Sequence, residues 1–134
     1  YKGDCMRNIK HLLLVEDDEV TNYIHTFLFR DMNMAEEVHS VLNGQEAIDY
    51  IKTCSKEGQP DLILLDINMP LMDGFEFLGH LENLDVNENI VILMVSTSII
   101  PRDIERSKQF KKISGFIGKP LTKEKILKLQ AEYF

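Results

Sequence analysis

Residues 12–15, 62–65 and 90–95 are short, nearly continuous apolar runs, the pattern of strands covered on both faces in a parallel sheet. Residues 38–42 and 116–117 are weaker strand candidates. Between the runs lie segments with helical spacing. The clearest is Val20, Tyr23, Ile24, Phe27 and Leu28, whose i, i+3, i+4, i+7, i+8 order predicts one helix stripe facing a core. A second helix is expected after Asn43-Gly44, burying Ala47, Ile48 and Ile51, and a third carries Phe77, Leu78, Leu81 and Leu84. The last starts at Thr122, an N-cap residue type, and buries Ile126, Leu129 and Tyr133. Residues 101–113 make the thinnest helix, because Ile104 is nearly the only apolar side chain before Phe110, and thin burial predicts low local stability.

Strand and helix thus alternate five times. With right-handed crossovers this gives an α/β, doubly wound parallel sheet, for which the flavodoxin-like (βα)5 order 2-1-3-4-5 is expected. Such a fold binds ligands outside the carboxyl ends of its strands, and four polar signals fall there: Glu16-Asp17, Asp66, Ser96-Thr97 and Lys119-Pro120. If the first and third strands are neighbours, Glu16, Asp17 and Asp66 share one crevice. Two like charges about 4 Å apart repel by roughly 4 kcal/mol at an effective dielectric of ~20, which favours proton uptake or a bound cation. Mg²⁺ takes oxygen ligands, usually one or two carboxylates plus a phosphate oxygen. Lys119 adds an ammonium that can pair with Asp66 or with a phosphoryl oxygen, and Ser96 adds a hydroxyl. A nucleophilic carboxylate, a metal, an ammonium and a hydroxyl together suit in-line phosphoryl transfer, with an aspartyl phosphate as product.

Across residues 10–134 the chain resembles response-regulator receiver domains of two-component signalling. The motifs that carry the likeness are Glu16-Asp17, the run from Asp66 through Asn68, Met69, Pro70, Met72, Asp73 and Gly74, then Ser96 and Lys119-Pro120. The resemblance implies that Asp66 accepts a phosphoryl group while Glu16, Asp17, Asp66 and the Asn68 backbone carbonyl place Mg²⁺. It also implies that Ser96 moves to the phosphoryl group and Lys119 pairs with it. Phe116 stands where a switch aromatic is expected, and Asn68 and Thr97 should border the phosphoryl group and tune its loss. Pro70 and Gly74 shape the loop after Asp66, and the likeness favours a cis bond before Pro120. The implied donor is a sensor histidine kinase or a histidine phosphotransfer protein. The implied output is a downstream protein recognising the face of the fourth helix, fifth strand and fifth helix. By this reading the chain is a phosphoacceptor switch rather than an enzyme.

Composition narrows the alternatives. At 134 residues with 44% hydrophobic content the chain is sized for one domain. A net charge of −7 argues against direct nucleic-acid or anionic-membrane binding. Cys5 and Cys54 lack metal or redox spacing, and no apolar run nears the roughly 20 residues of a membrane span, so a cytoplasmic setting is expected. Residues 1–9 are expected to be an N-terminal extension, with 1–5 an expression remnant before Met6. The scattered His11, His25, His39 and His80 read as structural or surface residues. Two rivals remain: a receiver fold used as a constitutive interaction module, and a haloacid-dehalogenase-like phosphatase. Asn68 weakens the latter, because that chemistry usually needs a second aspartate there.

Overall fold

Alternation of apolar side chains between two faces explains the architecture. The computed structural model describes residues 9–69 and 72–134, so the expectations for Pro70 and for residues 1–8 lie outside the described residues. Its strands are β1 Ile9–Val15, β2 Ala35–Val41, β3 Leu62–Asp66, β4 Val91–Ser96 and β5 Ile113–Gly118. They form one sheet in the order β2-β1-β3-β4-β5, every neighbouring pair parallel. The helices are α1 Glu19–Asp31, α2 Gly44–Thr53, α3 Gly74–Leu81, α4 Pro101–Ser107 and α5 Lys123–Tyr133.

Leu13, Val15, Ile63, Leu65, Ile92 and Met94 point to one side of the sheet, against Ala47, Ile48 and Ile51 of α2 and Phe75, Phe77, Leu78 and Leu81 of α3. Leu12, Leu14, Leu62, Leu64, Leu93 and Val95 point to the other, against Phe29 of α1 and Ile126 and Leu129 of α5. Covering both faces is what makes the strand sequences continuously apolar.

Polar capping sets where the helices begin. Asp18, Asn43, Asp73 and Thr122 each accept a hydrogen bond from a backbone N–H of the first turn, which satisfies donors that the helix itself leaves open. Asp73 and Glu76 form a full capping box. By contrast α4 has no side-chain cap and no buried residue, in line with its thin apolar pattern. Leu84 lies beyond the end of α3 and packs on the core from the following turn, and Tyr133 is only half-buried.

One expectation is reversed. Four of the five stripe residues on α1 face outward: Val20 is 65% exposed, Tyr23 74%, Ile24 49% and Phe27 57%, while Leu28 alone is half-buried and packs on the core. The helix instead buries Asn22, His25 and Phe29. Its phase is fixed by polar bonds at its start. Asp18 caps the first turn, and the Asn22 side-chain amide donates to the carbonyls of Glu16 at 2.9 Å and Val41 at 3.4 Å. That pins Asn22 inward over the ends of β1 and β2, and Phe29, two turns on, supplies the core contact. Phe29→Ala is therefore expected to lose about 3–5 kcal/mol of stability. Phe27→Ala should stay within about 0.5 kcal/mol of the parent, with both values read from urea unfolding.

Candidate functional site

Three strand ends deliver the charged groups. β1 ends at Val15, so Glu16 and Asp17 follow directly. β3 ends at Asp66 itself, and Lys119 follows β5. Glu16 and Asp66 are buried at 5% and 6% exposure, whereas Asp17 sits at the exposed lip. One carboxylate oxygen from each of Glu16, Asp17 and Asp66 falls within 4.8 Å of the other two. The Lys119 ammonium donates to Glu16 Oε1 and lies 3.4 Å from Asp66 Oδ2. The expected cluster of acids and lysine is thus a single constellation.

Local backbone bonds hold these side chains in place. Asp66 Oδ1 accepts from the Asn68 N–H at 3.1 Å, and Glu16 Oε2 accepts from the Asp18 N–H at 3.2 Å. The Lys119 N–H donates to the Ser96 carbonyl at 2.9 Å, and the Lys119–Pro120 bond is cis. Gly74 is needed where α3 begins. A Cβ there would stand 2.7 Å from the Asp66 carbonyl oxygen, so only glycine lets that helix start so close to the end of β3.

The charges perturb one another. Burial and the adjacent Glu16 carboxylate hold the Asp17 pKa above its ordinary value. For Lys119, burial works against the ammonium. The hydrogen bond to Glu16 and the charges of Asp66 and Glu16 outweigh it, and the pKa is raised. Three carboxylates facing one ammonium leave two negative charges uncompensated among these groups. A hard dication with oxygen ligands fits that donor set.

The remaining predicted residues are placed less directly. Ser96 is buried, one residue past Val95, the register partner of Asp66. Its hydroxyl, however, donates to the Ser98 carbonyl at 2.9 Å and accepts from the Ser98 N–H at 3.1 Å, and no hydrogen bond joins it to Asp66. Asn68 and Thr97 are exposed at the rim. Phe116 is half-buried against the core face that holds Met94 and Ile92. Asn22, which ties down the Glu16 carbonyl, was missed, and His25, read as structural or surface, is buried beside these groups. The latter lines a cavity of about 10 Å³ with Leu14, Val15, Glu16, Leu64, Asp66 and Val95. Their signal was available as polar residues on the helix face opposite the apolar stripe.

Comparison with known proteins agrees with this geometry. The family described as the response regulator receiver domain matches residues 12–130, and the chain belongs to that family. It is 30% identical over 119 residues to the chemotaxis protein CheY of Halobacterium salinarum, covering 88% of this chain and 91% of the relative. It is also 30% identical over 126 residues to the polar-differentiation response regulator DivK of Brucella anthropi, covering 92% and 95%. Among solved structures, a two-component response regulator from Cytophaga hutchinsonii superposes with a TM-score of 0.81 at 26% identity, covering 95% of this chain and 98% of that one. Chemotaxis protein CheY4 of Vibrio cholerae gives 0.81 at 25% identity, covering 94% and 99%. The protein is a receiver domain of the two-component class, and no helix among the described residues is long and apolar enough to cross a membrane.

Burial lowers the His25 pKa to about 4, helped by the nearby Lys119 charge. The unfolded chain therefore binds a proton near pH 6.5 that the folded chain refuses until about pH 4. Stability is lost as pH falls through that window, by on the order of 3 kcal/mol for this group. Urea midpoints from pH 7 to 4 should show that loss in the parent and a flatter profile in His25→Leu.

Proposed function

We propose that Asp66 accepts a phosphoryl group from a phosphohistidine of a sensor histidine kinase or histidine phosphotransfer protein. The observation that carries this reading is the Lys119 ammonium held between Glu16 and Asp66, with carboxylate oxygens of Glu16, Asp17 and Asp66 within 4.8 Å of one another. An Asp66 oxygen attacks phosphorus, the phosphorus–nitrogen bond to the donor imidazole breaks, and the electron pair leaves with the ring. Glu16, Asp17, Asp66 and the Asn68 carbonyl would hold Mg²⁺, which when bound supplies charge neutralisation for the transferred oxygens. Lys119 already lies beside Asp66 and follows the incoming charge, exchanging a carboxylate partner for a phosphoryl oxygen. Asn68 and Thr97, at the rim, govern how water reaches the acyl phosphate.

The switch would begin at Ser96, whose hydroxyl leaves Ser98 for the phosphoryl group and draws the β4–α4 loop inward, giving Phe116 room to change rotamer. The responding surface is α4, β5 and α5, with a downstream protein as its reader. Its weakest member is α4. Without a cap or buried residues, it is linked to the acceptor loop through Arg106, which lies 3.7 Å from Asp73 and 4.5 Å over the Phe75 ring. An element so lightly held can shift population for a small differential interaction energy.

Incubation with Mg²⁺ and acetyl phosphate, followed by intact mass measurement, is expected to add one phosphoryl group to the parent. None should appear in Asp66→Asn or when EDTA is present. Equal modification of Asp66→Asn would move the acceptor elsewhere, and an unmodified parent would contradict the reading.

A further inference from the structure

A second lysine braces the backbone around the crevice cation. Lys119 stands one residue past the end of β5, where the strand ladder no longer holds the chain. Its own N–H still donates to the Ser96 carbonyl at 2.9 Å. The carbonyls on either side of it, those of Gly118 and Pro120, both accept from the Lys125 ammonium, at 2.8 Å and 2.9 Å. One side chain thus bridges the residue that pairs with Glu16 and Asp66.

The local sequence does not call for a lysine at this position. Lys125 is the third residue of α5, and a cation in the first turn opposes the helix dipole. Its place is nevertheless set, because its backbone N–H donates to the Thr122 cap at 3.2 Å. The residue is half-buried and has no carboxylate partner among the described residues. Charge-assisted hydrogen bonds are stronger than those between neutral groups, so the two carbonyls offset the cost of that placement and are themselves held by it. The nearby Lys123, by contrast, is exposed and reaches away to Asp31 at 3.0 Å.

The brace acts on a long lever. The Lys119 ammonium is carried on a flexible four-carbon stem, and it lies 3.4 Å from Asp66 Oδ2, beyond the usual hydrogen-bond distance. A shift of about 1 Å at the base of the stem decides whether the ammonium reaches Asp66 or rests on Glu16 alone. We propose that Lys125 is a positioning residue: by clamping the carbonyls of Gly118 and Pro120, it aims the Lys119 ammonium at Asp66. Its effect on phosphoryl uptake rests on the reading of Asp66 as the acceptor, whereas its effect on Lys119 does not.

Two measurements on the full chain test this. NMR of the Lys119 ammonium, recorded without phosphodonor, reads its placement directly, because protons held in hydrogen bonds exchange slowly with water and freed ones quickly. Lys125→Met keeps an unbranched apolar stem but removes the donors, and is expected to broaden or abolish that signal. Lys125→Arg, whose guanidinium can donate to both carbonyls, should retain it. Uptake from acetyl phosphate with Mg²⁺ should slow roughly three- to tenfold in Lys125→Met and recover in Lys125→Arg. Mg²⁺ affinity should not fall, because the carboxylates are carried by the ends of β1 and β3, and a fall would mark general distortion and overturn the proposal. In a Lys119→Met background, Lys125→Met should slow uptake no further. A Lys119 signal absent from the parent, or unchanged by Lys125→Met, overturns the proposal, as does equal slowing in the Lys119→Met background. A parent that takes up no phosphoryl group sinks the acceptor reading instead, and the Lys119 signal then decides the brace alone. Lys125→Gln, too short to span both carbonyls, repeats the measurements should the methionine variant fail to fold.

Discussion

The Lys119 ammonium set between the buried carboxylates of Glu16 and Asp66 is the constraint on which the site depends. Its members come from the ends of β1, β3 and β5, and they meet only because the sheet places β1 beside β3 and carries the chain over to β5 on the far side. The crevice opens where the strand order reverses, the general location of ligand sites in such sheets. Burying charged groups is unfavourable unless each is paired. Pairing here is incomplete, since the carboxylates outnumber the ammonium. An arrangement that is electrostatically unfinished favours an added dication.

The rest of the fold holds that arrangement still. Both sheet faces are packed, so β3 cannot tilt to relieve the charge cluster. Gly74 lets α3 start against the Asp66 backbone, and Asn22 ties the carbonyl of Glu16 to the end of β2. Rigidity stops at α4. That helix has no buried residue, and Arg106 links it to the start of α3 by spanning Asp73 and Phe75. Firm support under Asp66 and a loosely held α4 are the arrangement that the proposed switch would use, a charge change at one end and a population shift at the other.

Sequence patterns conveyed the sheet because strands buried on both faces have a distinctive composition, and the strand-end residues could be located by counting outward from those runs. The Glu16, Asp17, Asp66 and Lys119 grouping was legible for the same reason. What pattern could not convey was the rotation of α1. Periodicity identifies an apolar face without saying what covers it. The decision was made instead by Asp18, which caps the first turn, and by Asn22, whose amide donates to the carbonyls of Glu16, just past β1, and of Val41 in β2, partners that have no address in the helix sequence. The Ser96 hydroxyl was likewise beyond reach, since its bonds to Ser98 depend on the path of the loop after β4.

Calorimetric titration with Mg²⁺ bears most directly on the charge cluster. One ion per chain is expected for the parent, with affinity reduced about tenfold or more, equivalent to about 1.4 kcal/mol, in Asp17→Asn and in Asp66→Asn alike. Absence of binding by the parent, or affinity untouched by both substitutions, would contradict the account.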